Sequence, residues 1–179
     1  NSSMKQINNA NVCVFLLDNF DSFTYNLVDE LRSLGLELFV YRNSVPAEFI
    51  LQKMHDQASQ LTSEGQPKHV MLMLSPGPGN PSQAGCMLNL LSLVKGQFAV
   101  LGICLGHQAI VESYGGDIVM PAELSVLADF NGIPMAVAHR QDRMLGFQFH
   151  PESILTSHGS QLLLQSIAYL NQAAPSGGV

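Results

Sequence analysis

The chain has 179 residues, of which 46% are hydrophobic and 12% charged, and a formal net charge of −6. That length supports one domain with a substantial core, and the acidic balance excludes the basic face that a nucleic-acid binder needs. Its three cysteines, Cys13, Cys86 and Cys104, are widely spaced, which fits neither a disulfide framework nor a structural zinc site and predicts a reducing, cytoplasmic setting.

Residues 1–11 are polar and without period, and read as a flexible tail; residues 171–179 read the same way, leaving a domain over 12–170. The apolar run that opens the domain is broken at Asp18, too soon for a secretory core or a membrane span. No other segment approaches a span.

In chain order, "VCVFLL" (12–17), "LELFVY" (36–41), "HVMLML" (69–74) and "FAVLGI" (98–103) are short apolar runs suited to strands buried on both faces. Helical spacing fills the gaps between them. Phe23, Leu27, Leu31 and Leu34 recur after an Asp21-Ser22 cap, and Ile50, Met54, Ala58 and Leu61 after Ser44 and Pro46. Strand alternating with helix predicts an α/β fold, an open, mostly parallel sheet with helices on both faces. Further on, "SVLADFNGIPMAVAH" holds two strand-like runs about Asn131-Gly132, and "MLGFQF" (144–149) supplies another strand, so antiparallel strands are appended near the C-terminus. A closing helix near 157–170 presents Leu162, Leu163, Ile167 and Leu170 to the core.

In an open parallel sheet, ligands gather at the carboxyl ends of the strands. Three loops stand there: "DNFDSFT", "SPGPGN" and "CLGHQ". Cys104 has Gly102 two residues before it and Gly106 two after, the spacing of a nucleophile elbow with cysteine in place of serine. A helix beginning there favours the thiolate. Cys13, within a strand, and Cys86 lack that context and read as structural.

A thiol nucleophile needs a base and a group that orients it. "FQFHPES" supplies His150 and Glu152, two residues apart about Pro151. His55, His69, His139 and His158 have no such companion, and His107 reads as a packing residue. No grouping of histidines, cysteines and carboxylates has metal-ligand spacing. In "SPGPGN" (75–80) no Gly-Lys-Ser/Thr follows, and prolines remove amide donors, so a phosphate loop gives way to a rigid turn aiming a few amides at one point. Such a turn supplies half of an oxyanion hole, the other half being the amide of Leu105.

Together, "LLDNFDSFTYNLVDEL" (16–31), "MLSPGPGNPSQAG" (73–85), "GICLGHQAIVESYGG" (102–116) and "GFQFHPESILTSHG" (146–159) make the chain resemble the class I, triad-type glutamine amidotransferases, most closely the branch serving anthranilate synthases. The subunits serving aminodeoxychorismate synthases share all four motifs. The resemblance implies that Cys104 attacks the glutamine side-chain amide, His150 carries the proton to ammonia, and Glu152 orients His150. It implies oxyanion amides at Gly77 and Leu105, and a substrate grip from Gly77, Pro78, Gly79 and Gln108. No cofactor is implied in this chain. The implied partner is a chorismate-binding component I synthase subunit, which in the family uses magnesium, in a heterodimer or heterotetramer; neither nucleic acid nor membrane is expected.

One departure stands out. The family places several tens of residues, with a His-Ser-Leu segment contacting glutamine, where "GGDIVM" here meets "PAELSV". The expectation is a further segment between Met120 and Pro121, the alternative being a true deletion that leaves a non-catalytic docking subunit. A second rival, a cysteine α/β hydrolase acting on esters, would need only the elbow.

Overall fold

The computed structural model describes residues 9–115, 125–127, 136–148 and 157–172. Its strands are β1 (Val12–Asp18), β2 (Glu37–Arg42), β3 (His69–Leu74), β4 (Ala99–Ile103), β5 (Ser125–Leu127), β6 (Ala136–His139) and β7 (Met144–Phe147). The helices are α1 (Thr24–Ser33), α2 (Ala47–Ala58), α3 (Met87–Val94), α4 (Leu105–Ser113) and α5 (Ser157–Gln172). A 3₁₀ turn, Asn9–Asn11, precedes β1.

The strands form one seven-stranded sheet in the order β2-β1-β3-β4-β7-β6-β5. Five of them, β2, β1, β3, β4 and β7, run parallel, and β6 runs antiparallel to both β7 and β5. This is the sheet expected from the apolar runs and the appended strands. The turn at Asn131-Gly132 lies outside the described residues.

Side chains alternate across a strand, and here the alternation sorts the core into two layers. Val12, Val14 and Leu16 of β1, with Met71, Met73, Leu101 and Ile103, pack beneath Leu27 and Leu31 of α1 and Leu162, Leu163, Ile167 and Leu170 of α5. Cys13, Phe15 and Leu17, with Val70, Leu72, Leu74 and Val100, face Ile50 and Met54 of α2, Met87, Leu90, Leu91 and Val94 of α3, and Ala109 and Ile110 of α4. Both faces of β1, β3 and β4 are therefore dry, which is why their sequences read as continuous apolar runs. β2 departs from the expectation of a strand buried on both faces: it is the edge strand of the sheet, half-buried, with Val40 exposed.

Three boundaries differ from expectation. Leu61 is not on α2: the helix stops at Ala58, and Leu61 is exposed in an isolated bridge to Pro67. The α1 N-cap is Phe23 and carries no side-chain cap bond; Asp21 acts one step earlier, its carboxylate accepting from Phe23 N–H at 2.9 Å and its carbonyl from Thr24 N–H at 3.0 Å. At the other end α5 runs on to Gln172, with Asn171 buried and its Nδ2 donating to the Ile167 carbonyl at 2.8 Å.

Candidate active site

Parallel strands deliver their carboxyl ends to one edge of the sheet, and β4 ends there in Cys104. Cys104 has φ +53° and ψ −103°, a backbone conformation that costs a non-glycine residue about 1–3 kcal/mol and persists only when its surroundings impose it. They do so through the two glycines. A Cβ on Gly102 would stand 2.5 Å from the Gly106 carbonyl oxygen, and one on Gly106 would stand 2.5 Å from the Leu74 carbonyl oxygen. Only bare glycine backbone lets α4 turn back this tightly against β3 and β4. Cys104 N–H donates to the Phe147 carbonyl at 2.8 Å, and Gln108 N–H donates to the Cys104 carbonyl at 3.0 Å. The thiol thus sits half-buried at the N-terminus of α4.

At the other two cysteines the surroundings disfavour the thiolate. Burial, with the Glu37 carboxylate adding to it, pushes the Cys13 thiol up to about 12. Burial also raises Cys86.

The Pro-Gly turn packs directly on the elbow. A Cβ on Gly77 would lie 3.0 Å from Leu105 Cδ2 and 2.6 Å from Asn19 Cβ. Pro76 and Pro78 carry no N–H, so Gly77 holds the amide between them. Among the described residues, neither Gly77 N–H nor Leu105 N–H has a hydrogen-bond acceptor. Pro78 and Gly79 are exposed, and Gly79 has φ +73°. A capping box closes the turn: Asn80 Oδ1 accepts from Ser82 N–H, and Asn80 N–H donates to Gln83 Oε1, each at 3.1 Å. Gln108 lies one helical turn beyond Cys104 with its side chain exposed. The structure therefore brings Cys104, Leu105, Gln108 and Gly77 to one place. His150 and Glu152 lie outside the described residues; they follow β7, which ends at Phe147 beside Cys104.

His107 is buried, its Nδ1 has no hydrogen-bond partner among the described residues, and burial holds its pKa below the usual 6.5. It is a neutral packing residue, as its position in the elbow suggested. Of the two phenylalanines in "DNFDSFT", Phe23 is buried and Phe20 is 52% exposed. Phe20 lies beneath the Arg42 guanidinium, 5.0 Å from ring centroid to Cζ. It borders a groove of about 450 Å³ that Tyr25, Val28 and Val40 also line.

Sequence reasoning missed one feature. Asn19, Asn43 and Ser75 each stand one residue past the end of a strand, β1, β2 and β3 respectively, and all three are buried. Asn43 Nδ2 donates to Asn19 Oδ1 at 3.0 Å, Asn19 Nδ2 donates to the Ser75 carbonyl at 2.9 Å, and Asn19 N–H donates to Ser75 Oγ at 3.1 Å. The available signal was a small polar residue just past the end of each apolar run, directly after it at Ser75 and one charged residue later at Asn19 and Asn43.

A strained cysteine on a strand-to-helix turn, with two unengaged amides beside it, defines an α/β enzyme of the nucleophile-elbow kind. The glutamine amidotransferase class-I family matches residues 15–123 and 119–169, and the chain belongs to that family. Among its relatives, anthranilate synthase component 2 of Vibrio parahaemolyticus is 38% identical over 196 residues, covering 87% of this chain and 95% of that protein. The Haemophilus influenzae protein of the same name is 39% identical, covering 88% and 97%, and that of Buchnera aphidicola is 42% identical, covering 84% and 90%. A GMP synthase subunit protein from Thermoplasma acidophilum, known from its crystal structure, shares the fold, with a TM-score of 0.64 at 16% identity over 90% of this chain and 94% of that one. The match to the Vibrio protein spans more positions than this chain has residues. Since 87% of 179 is about 156, some 40 of the 196 matched positions have no residue of this chain opposite them.

Proposed function

We propose that the chain is the glutamine-hydrolysing subunit of an anthranilate synthase, releasing ammonia for a chorismate-using partner subunit. The observation that carries this reading is the Cys104 elbow packed against the Gly77 turn, in a chain whose curated relatives bear the name anthranilate synthase component 2.

In this reading, Cys104 Sγ attacks the side-chain amide carbon of glutamine, and the carbonyl oxygen takes up the negative charge between Gly77 N–H and Leu105 N–H. Two preorganised donors at a developing oxyanion are a large source of rate acceleration. His150, oriented by Glu152, protonates the departing nitrogen, because ammonia leaves poorly as an amide anion. Water then resolves the thioester to glutamate, so one hard hydrolysis becomes two easier steps. Gln108 and the Gly77–Gly79 turn hold the substrate. Exposed Phe20, on the loop beside the elbow, is suited to being covered by the synthase subunit.

The test is to incubate the chain with glutamine, alone and with a chorismate-binding synthase subunit, and follow glutamate. Release that depends on Cys104 and rises with the partner supports the reading. No release under either condition overturns it in favour of a docking subunit without catalysis.

A further inference from the structure

We propose that Asn19 is the positioning residue of the oxyanion turn, fixing the Gly77 amide against the nucleophile elbow; this rests on the glutaminase reading above for the identity of the substrate. Asn19 is 2% exposed, and its polar atoms are engaged on both sides. Oδ1 accepts from Asn43 Nδ2, Nδ2 donates to the Ser75 carbonyl and approaches Met87 Sδ at 3.4 Å, and N–H donates to Ser75 Oγ. Ser75 Oγ in turn donates to the Pro76 carbonyl at 3.0 Å. Every one of these bonds from Asn19 to the turn ends on Ser75, two residues before Gly77.

The contact with Gly77 itself is steric. Its Cα stands so close to Asn19 Cβ and to the Asn19 carbonyl oxygen that no side chain fits there. A Cβ there would also meet Leu105 Cδ2 at 3.0 Å, so Gly77 sits where Asn19 and the elbow come together. Asn43 braces Asn19 from the third strand end. A fully satisfied buried network of this kind holds one geometry, and an oxyanion donor needs one geometry, since a displacement of about 1 Å can cost about a hundredfold in rate. The capping box at Asn80 secures the far end of the turn, leaving Asn19 as the residue that sets where the turn begins.

The experiment compares two reactions of Cys104 in the full chain: acylation by p-nitrophenyl acetate, which passes through an oxyanion, and alkylation by iodoacetamide, which does not. Asn19→Ala is expected to slow acylation, and the kcat for glutamine, about a hundredfold, with alkylation and the glutamine KM within about threefold of wild type. Asn171→Ala, a buried asparagine of α5 remote from the turn, is the control and leaves both rates unchanged while lowering thermal stability. Should Asn19→Ala fail to fold, Ser75→Ala removes one tie and keeps the carbonyl; its expected effect is the same selective loss, about tenfold.

Acylation and alkylation falling together, or neither falling, overturns the proposal. A wild-type chain that acylates through Cys104 but does not hydrolyse glutamine overturns the glutaminase reading alone, and the ester still decides the role of Asn19. A wild-type chain in which Cys104 is acylated by neither the ester nor glutamine overturns both.

Discussion

Cys104 N–H donates to the carbonyl of Phe147 at 2.8 Å, extending the β4–β7 ladder by one rung past Ile103. Cys104 is thereby tied to the strand that His150 follows by three residues in the sequence, and the same bond helps to hold Cys104 in its strained conformation. In the proposed reading, nucleophile and base thus come from neighbouring parallel strands.

Selective thiol reactivity follows from the contrast among the three cysteines. With its thiol pushed up to about 12, Cys13 is ionised in about one molecule in ten thousand at pH 8, and thiolate is the reactive species. Iodoacetamide at pH 8 should label one cysteine per native chain, Cys104, and three per chain in denaturant, as read by mass spectrometry. Cys104→Ser should lower glutamine hydrolysis by at least about a thousandfold, whereas Cys13→Ser and Cys86→Ser keep it. Native labelling spread over all three thiols contradicts the assignment.

Glycine at 106 is a packing requirement. Its missing Cβ would meet the Leu74 carbonyl oxygen at 2.5 Å and Leu74 Cβ at 2.6 Å, both held by β3. Gly106→Ala should cost about 3 kcal/mol in urea denaturation and remove most activity. Gly35→Ala is the comparison, for Gly35 has φ +84° but open space around it, and should cost only about 1 kcal/mol with activity intact. Equal losses at the two sites would show that the close approach at Gly106 relaxes at little cost, against the packing requirement.

What the sequence made legible followed from local pattern. β1, β3 and β4 are buried on both faces, so each wrote itself as an unbroken apolar run, and the elbow was visible because Gly102 and Gly106 lie within two residues of Cys104. Leu61 was misplaced because its spacing continues the α2 period although the helix stops at Ala58. Asn19 was missed for a different reason. Its partners Asn43, Ser75 and Met87 are 24, 56 and 68 residues away, and only the sheet order brings those strand ends together. His150 and Glu152 were read from the sequence and lie outside the described residues.

Stability should depend on pH through His107. Burial lowers its folded pKa below 6.5, with a backbone hydrogen bond at Gly146 offsetting only part of that. The unfolded chain therefore takes up the proton first as pH falls, and the stabilisation present above about 6.5 is lost progressively below it, at up to about 1.4 kcal/mol per pH unit. His69 is lowered in the same direction by burial and by Arg143. Urea midpoints between pH 8 and pH 5 should fall more steeply for the wild type than for His107→Gln. Parallel curves would place the protonation elsewhere.

The junction of Met120 and Pro121 carries the last prediction. The family match breaks into two stretches that meet at 119–123, and about 40 positions of the Vibrio relative find no residue here. A break confined to one place, between motifs that otherwise keep their order, supports a discrete segment present in the relatives and absent from this sequence. In the proposed reading, such a segment carries the further glutamine contacts that the family resemblance implies. We expect the polypeptide made from the native gene to carry it, with an intact mass clearly above 19.4 kDa and a glutamine KM that rises when the segment is excised. A native mass equal to that value would show the deletion to be genuine; the chain would then keep the elbow and the oxyanion turn without half of its substrate grip, and the docking role becomes the better reading.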